Sequence, residues 1–363
     1  MPAGFTPSPL FGTNTADGFP QLDKVPNNLS RTGLLIPAWQ TGIIPASSGG
    51  PQGEFRFLCR ASHLAYDDPV VFPGEVGRSH LHMFFGNTLT SALSTYETLR
   101  TTGLSTCNNA LNRSAYWVPA LMNGRGQVVM PEYISIYYKR TPATSPSCAQ
   151  DICVGLPRGL RYVFGRTMSG LQTAPSEGGV YFNCDGPGAV PGWYANLAEA
   201  ARNCPTGAKI GAIVDAPDCW NGRDLDSPDH RSHMARTYAD GFGISRCPTT
   251  HPYRLPHFTL AAWYVTDDTL DRTGNTSPTA QTWYFSSDRM AGMPAMTSGL
   301  TFHADWYGAW DDDTLDAWMA NCINKMLNCS GGDLGDGTQM SLSNEWNTIP
   351  TRLVTAPVDP KGT

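Results

Sequence analysis

Charge is scarce in this chain: Asp, Glu, Lys and Arg make up 15% of its 363 residues, well under the roughly 25% usual for soluble domains. The net charge is −6 and no basic run appears, so the electrostatic footprint of a nucleic-acid binder is missing. No apolar stretch approaches the roughly 20 residues that carry a helix across a bilayer, which argues against membrane insertion. No C-x-x-C pair occurs, and that removes zinc ribbons, which need two close pairs. Nucleophile elbow, phosphate loop, dinucleotide fingerprint and H-E-x-x-H helix are all absent. The opening residues, Met1-Pro2-Ala3-Gly4-Phe5, have neither the basic nor the apolar region of a secretory signal.

What is abundant points elsewhere. The chain holds 37 Gly, 29 Pro, 14 Tyr and 10 Trp, a composition that favours short strands joined by many loops. Hydrophobic residues reach 40%, enough for a substantial core at this length. Ten cysteines, spread from Cys59 to Cys329, make an even count at loop-like spacing and read as disulfides formed in an oxidising compartment. Cys148 with Cys153 and Cys322 with Cys329 are near enough to close small loops. Cys184 with Cys204 and Cys219 with Cys247 are plausible next neighbours, although spacing leaves the connectivity open. An extracellular protein is therefore expected. Its leader has been cut away, or the protein leaves its cell by lysis, as a component on a virion surface does.

Residues 1–53 and 330–363 are rich in Pro, Gly, Asn, Asp, Ser and Thr and read as two extended arms around one β-rich core, 54–329. Docking onto neighbouring subunits in a homo-oligomer or larger assembly is one reading of such arms; disorder is the other. Within the core, Glu54–Cys59 alternates as a half-buried strand should. Further strands are expected at 79–85, 133–139, 160–164, 179–182, 210–214, 257–265 and 282–285. Helices are expected at 96–101, 197–202 and 313–326, the last capped by Asp312 or Asp313. The fold class that follows is mostly β: a β-sandwich or jelly-roll-like core with long loops, a few short helices and disulfides.

Three motifs carry chemistry. Ser79-His80-Leu81-His82-Met83 places two histidines at i and i+2, so on a strand both imidazoles face one way. Such a pair can bind one metal ion or clamp a polyhydroxylated ligand, or it can decorate a solvated strand face. Asp224-Leu225-Asp226-Ser227-Pro228-Asp229-His230-Arg231-Ser232-His233 packs three carboxylates and two imidazoles together, and such groups shift one another's pKa. The milder reading makes Asp226 and Asp229 turn residues. In Thr301-Phe302-His303-Ala304-Asp305-Trp306, His303 and Asp305 share one strand face, and the aspartate can orient the ring. His251 precedes a proline in a loop; His63 and His257 read as packing residues. Trp117, Trp220 and Trp306 lie beside the motifs, where a sugar could stack, or they belong to the core.

At these motifs the chain resembles a known family, the one catalogued as domain of unknown function nineteen ninety-six, whose members are mostly secreted proteins of fungi and bacteria. The similar stretches are DDPVVFPGEVGRSHLHMFFGN (67–87), STYETLR (94–100), STCNNALNRSAYWVPAL (105–121), PRGLRYVFG (157–165), DCWNGRDLDSPDHRSHMA (218–235), CPTTHPYRLP (247–256) and FHADWYGAWD (302–311). The resemblance implies that His80, His82, Asp229, His230, His233, His251, His303 and Asp305 gather around one pocket. It implies secretion-type chemistry, and the family often accompanies sugar-binding modules.

The function expected is an extracytoplasmic, carbohydrate-active protein whose partner is a polysaccharide or glycan. As a glycoside hydrolase it would use Asp229 and Asp305 as paired carboxylates, with Asp226 close by. As a metal-dependent enzyme it would hold one divalent transition metal on His80, His82 and His303, completed by Asp305 or Asp229. His230, His233, His251 and the three tryptophans would grip the sugar. The alternative is a structural or glycan-binding component of an assembly such as a phage virion, docked through the two arms.

Overall fold

Phe55, Phe57 and Cys59 are fully buried while Glu54, Arg56 and Leu58 between them are not, the period of two that an amphipathic strand imposes. The computed structural model describes residues 19–168, 179–342 and 345–362. In it the strand Gly53–Cys59 belongs to a six-stranded sheet ordered Val180–Asp185, Lys209–Asp215, His257–Val265, Tyr133–Arg140, Gly53–Cys59 and Asn328–Ser330. All neighbours pair antiparallel except the last two, which are parallel. A five-stranded antiparallel sheet faces it, ordered Arg161–Gly165, His303–Tyr307, Ala115–Pro119, His82–Gly86 and Ala61–Ala65.

The two sheets meet through aromatic rings. Phe258 of the six-stranded sheet packs against Tyr116, Phe164 and Trp306 of the other, with centroids 6.1, 5.2 and 5.6 Å away. Offset and edge-on contacts of this kind are favourable beyond the area they bury. The mostly-β, sandwich-like core expected from composition is what forms.

Because side chains alternate, the five-stranded sheet sends Tyr116, Tyr162 and Trp306 inward and His82, Phe84, Trp117, Val163, His303, Asp305 and Tyr307 to its other face. That outer face is also dry. Val70, Tyr96, Leu99 and Ala309, from the segments laid over it, pack with Phe84, Trp117, Val163 and Tyr307 in a second apolar cluster. Polar groups on this face are thus enclosed although they lie outside the sandwich.

Five disulfides staple the loops: Cys59–Cys107, Cys148–Cys153, Cys184–Cys204, Cys219–Cys247 and Cys322–Cys329. The four neighbouring pairs are those considered from spacing. Helices form at Tyr96–Thr101 and Leu197–Arg202 as expected. The third is shorter, Asp312–Trp318, and widens into a π-helical turn at Met319–Ile323, where Cys322 is tied to Cys329. Its cap is Asp311, one residue earlier than expected, whose Oδ1 accepts from the Thr314 amide at 3.1 Å.

Segments of both arms pair with each other and with the core. Leu35–Pro37 pairs antiparallel with Thr338–Met340, so the arms meet each other. Leu353–Thr355 adds to Gln127–Val129, and Phe19 sits edge-on to Trp220 at 5.9 Å. Residues 1–18, 343–344 and 363 of the arms lie outside the described residues.

Candidate functional site

His82 opens the strand His82–Gly86, and His303 opens His303–Tyr307. Both rings face the enclosed outer side of the five-stranded sheet. His80 stands just before its strand, which starts three residues later than expected because the Ser79 amide turns to the Tyr66 carbonyl at 2.9 Å. It still joins its partners: the rings of His80 and His82 are 4.0 Å apart, and His303 is 5.3 and 6.0 Å from them. Ligand-capable atoms of His80, His82 and His303 all lie within 4.8 Å of one another, and so do those of Asp68, His82 and Asp305.

Each ring is oriented through the same nitrogen. His82 Nδ1 meets the Asp67 carbonyl at 2.9 Å, and His303 Nδ1 meets the Thr301 carbonyl at 2.8 Å. A carbonyl only accepts, so these Nδ1 atoms carry the proton. Ser286 Oγ donates to the Leu81 carbonyl at 2.6 Å, which leaves it to accept from His80 Nδ1 at 3.0 Å. All three Nε2 atoms therefore keep their lone pairs, the arrangement that outer hydrogen bonds impose on metal-binding imidazoles. Burial, the mutual repulsion of the rings and the nearby Arg231 hold them neutral. His82 is pushed down to about 3 and His303 to about 4, with His80 well below its usual range.

The carboxyls behave in the opposite sense. Burial raises Asp68 to about 6, even though its Oδ1 accepts from the Val70 and Val71 amides at 2.9 and 2.8 Å. Asp305 is driven well above the carboxylate range by burial and by Asp68, with Arg231 opposing. Its two oxygens are buried with no hydrogen-bond partner among the described residues, and His82 Nε2 is in the same position. A buried carboxyl and a buried imidazole lone pair without hydrogen-bond partners are costly as they stand. A cation there would give these groups a partner.

Asp68, His80, His303 and Asp305 line a cavity of about 260 Å³ with Arg78, Val163, Asp229, His230 and Arg231, and His82 is buried beneath it. The cavity adjoins a wider hollow of about 800 Å³ that shares Arg78, His80 and Met290 and is flanked by Tyr66, Tyr284 and Lys361. The far wall of the cavity comes from the loop within the Cys219–Cys247 link, which runs along the edge strand Arg161–Gly165. The Arg161 amide donates to the Leu225 carbonyl at 3.0 Å and the Val163 amide to the His230 carbonyl at 2.9 Å. His230 adopts φ of 56°, a left-handed conformation that non-glycine residues reach at a cost and that recurs at functional sites. Its Nδ1 donates to Asp226 Oδ1 at 2.9 Å, and Asp226 Oδ2 accepts from Arg161 Nε at 3.0 Å.

The expected residues differ in how they stand to the cavity. Asp226 is buried behind His230 and braces it, so it is not a reacting carboxylate on the wall. Asp229 does reach the cavity, but its Oδ1 accepts from Ser227 Oγ, the Arg231 amide, and both the amide and Oγ of Ser232. Those bonds hold it far below the ordinary carboxylate range, which unsuits it to donate a proton. His233 is buried between Ser227 Oγ and the Arg161 carbonyl, and His251 lies in an exposed loop against the Ser232 carbonyl; neither lines the cavity. Trp117, Trp220 and Trp306 are fully buried, packed on Phe84, Tyr253 and Tyr162, so no face is open for a sugar. Sequence reasoning missed Asp68, Ser286 and Arg231. Asp68 stands in a quoted motif, Asp67-Asp68-Pro69, but nothing in that motif brings it to Asp305.

The family model described as Domain of unknown function (DUF1996) matches residues 68–310, more than half of the chain. The chain belongs to the DUF1996 family. The match takes in both sequence halves of the histidine cluster and the Asp226–His230 wall, so the cavity is built from family-core residues rather than from the arms. No curated protein and no solved structure matches the chain.

Proposed function

We propose that this DUF1996 protein is an extracytoplasmic, metal-dependent enzyme acting on polysaccharide, with one divalent transition metal held by His80, His82, His303 and Asp305. The observation that carries this reading is the convergence of three imidazoles whose Nδ1 atoms are all spent on hydrogen bonds, beside a buried carboxyl without a partner. Imidazole with carboxylate suits zinc, copper, iron or manganese. Such an ion, when bound, supplies Lewis acidity or, if redox-active, electron transfer. The chain's own residues do the rest. Burial, with Asp68 adding to it, holds Asp305 above the carboxylate range, and Arg231 opposes the rise. His230, with Nδ1 held by Asp226, presents its other nitrogen on the opposite wall, where it can take or give a proton. Arg78, exposed at the mouth, meets substrate arriving from the wider hollow.

Support for polysaccharide comes from a cavity with convergent polar groups that adjoins a wider hollow and from a family that accompanies sugar-binding modules; the five disulfides support an extracytoplasmic setting. Paired carboxylates fit less well, because Asp229 is committed to its turn. The test is elemental mass spectrometry of purified protein that has never met a chelator. Wild type is expected to carry a near-stoichiometric transition metal and to release soluble oligosaccharide from a panel of polysaccharides. His80→Ala/His82→Ala is expected to do neither. Metal-free wild type, still metal-free after incubation with zinc, copper, iron and manganese salts, would overturn the reading.

A further inference from the structure

The solvent face of the six-stranded sheet lies on the opposite side of the sandwich from the histidine cavity, and it is not flat. Across it, strand register sets Tyr181, Ile213, Ala261 and Ser135 in one row, with Asn183, Gly211, Trp263 and Tyr133 beside them and Asp215, Thr259, Tyr137 and Arg56 on the other flank. Small side chains make the floor and large ones the banks, forming a trough of about 530 Å³. The Trp263 indole is laid across Gly211, where a Cβ would come within 2.8 Å of the ring. Tyr181 is stacked under exposed Trp193 at 4.3 Å and 7°, which lengthens the aromatic bank.

The charged groups around the trough are paired except Arg56, which has no carboxylate partner among the described residues. Lys139 pairs with Glu54 at 3.8 Å, Arg236 with Asp215 at 3.2 Å, and Lys209 with Glu132. Arg56 Nε is turned onto Ser135 Oγ at 3.0 Å, and Thr259 Oγ onto Asp215 at 2.9 Å. A protein partner would want a contiguous apolar patch here, and an anionic ligand would want uncompensated cations. A single unpaired cation, Arg56, is too little to grip a polyanion, and the face offers no such apolar patch. It offers flat rings interspersed with hydroxyl, amide and guanidinium groups along an open groove, which matches a ligand with apolar C–H faces, many hydroxyls and no charge. We infer that the trough is a second site, separate from the histidine cavity, that binds an uncharged polysaccharide chain along the six-stranded sheet.

The inference stands apart from the metal reading, and its experiment keeps the two separable. Affinity electrophoresis is run in EDTA through gels containing hydroxyethylcellulose, laminarin, xylan or galactomannan, with polygalacturonate as the charged comparison. At least one neutral polymer is expected to retard the wild-type protein with the ion stripped. Trp263→Ala is expected to weaken that retardation about tenfold, the size of one good aromatic contact. Tyr181→Ala tests the other bank independently, at a half-buried surface position, with thermal unfolding of the variant as the check on its fold. Retardation by no neutral polymer, retardation by polygalacturonate alone, or unchanged binding in both variants would each overturn the second site. None of those results bears on metal loading, and loss of the metal reading would leave a positive retardation untouched.

Discussion

His82 joins the two properties that define the site: a fixed tautomer and a ring kept neutral by burial. Its proton affinity in the folded chain has fallen to about 3, against about 6.5 for the unfolded chain. As pH falls below 6.5 the unfolded chain takes up a proton that the folded ring refuses, so stability present at pH 7 is lost on acidification. At pH 5 that loss is about 2 kcal/mol for this one ring. Asp68, raised to about 6, acts in the opposite sense: its burial penalises folding as pH climbs above the unfolded carboxyl's range. It is common to wild type and variant and cancels between them. In chelated protein, urea unfolding at pH 7 and pH 5 should therefore show a fall in stability about 2 kcal/mol smaller for His82→Asn than for wild type. Equal falls would mean that the ring titrates normally. The spacing of His80 and His82, and of His303 and Asp305, was legible because a strand's period of two puts such residues on one face. Asp68, Ser286 and the Thr301 carbonyl were not, because their roles come from contacts across 200 or more residues or from the main chain, which has no sequence signature.

At the scale of elements, the alternating strands were the readable ones. His257–Val265 was expected over the same residues that form it, since one of its faces meets the core and the other the trough. Ala115–Pro119 escaped notice because all five of its residues are buried; a strand covered on both faces shows no alternation. Phe258 is a central ring between the two sheets, touching Tyr116, Tyr162, Phe164 and Trp306 of the facing sheet and Tyr138 of its own. Phe258→Ala should cost about 3–5 kcal/mol, the range for deleting a large core side chain. Thermal unfolding measures it, and a change below about 1 kcal/mol would show that the sheets pack through other contacts.

For the whole molecule, disulfides add covalent ties between segments at different separations along the chain. Cys59–Cys107 spans 48 residues and Cys148–Cys153 spans 5. Closing the longer loop restricts the unfolded chain more, by about 4 against about 2 kcal/mol on the chain-entropy account. Double alanine variants of the two pairs, compared by chemical denaturation, should differ by about 2 kcal/mol, with the Cys59/Cys107 variant less stable. The reverse order would show that local packing outweighs chain entropy here. Pairing of Leu35–Pro37 with Thr338–Met340 closes the molecule once more, bringing the two ends of the described chain onto the same core.

Composition and local spacing by themselves determined the class of this protein. Sparse charge, many glycines, prolines and aromatics, and ten evenly usable cysteines lead to a disulfide-stapled β fold, and period-two histidines lead to a shared face. Those properties are local or additive, so they survive in a linear string. The tertiary structure decided which groups meet. It buried the three tryptophans, put Asp226 behind His230, turned Asp229 into the anchor of a loop, and brought Asp68 to Asp305. It also laid the arms on the core and opened a trough on the far sheet. Each of those outcomes depends on register between strands distant in sequence and on which face the loops cover, and neither is written in the neighbours of any one residue.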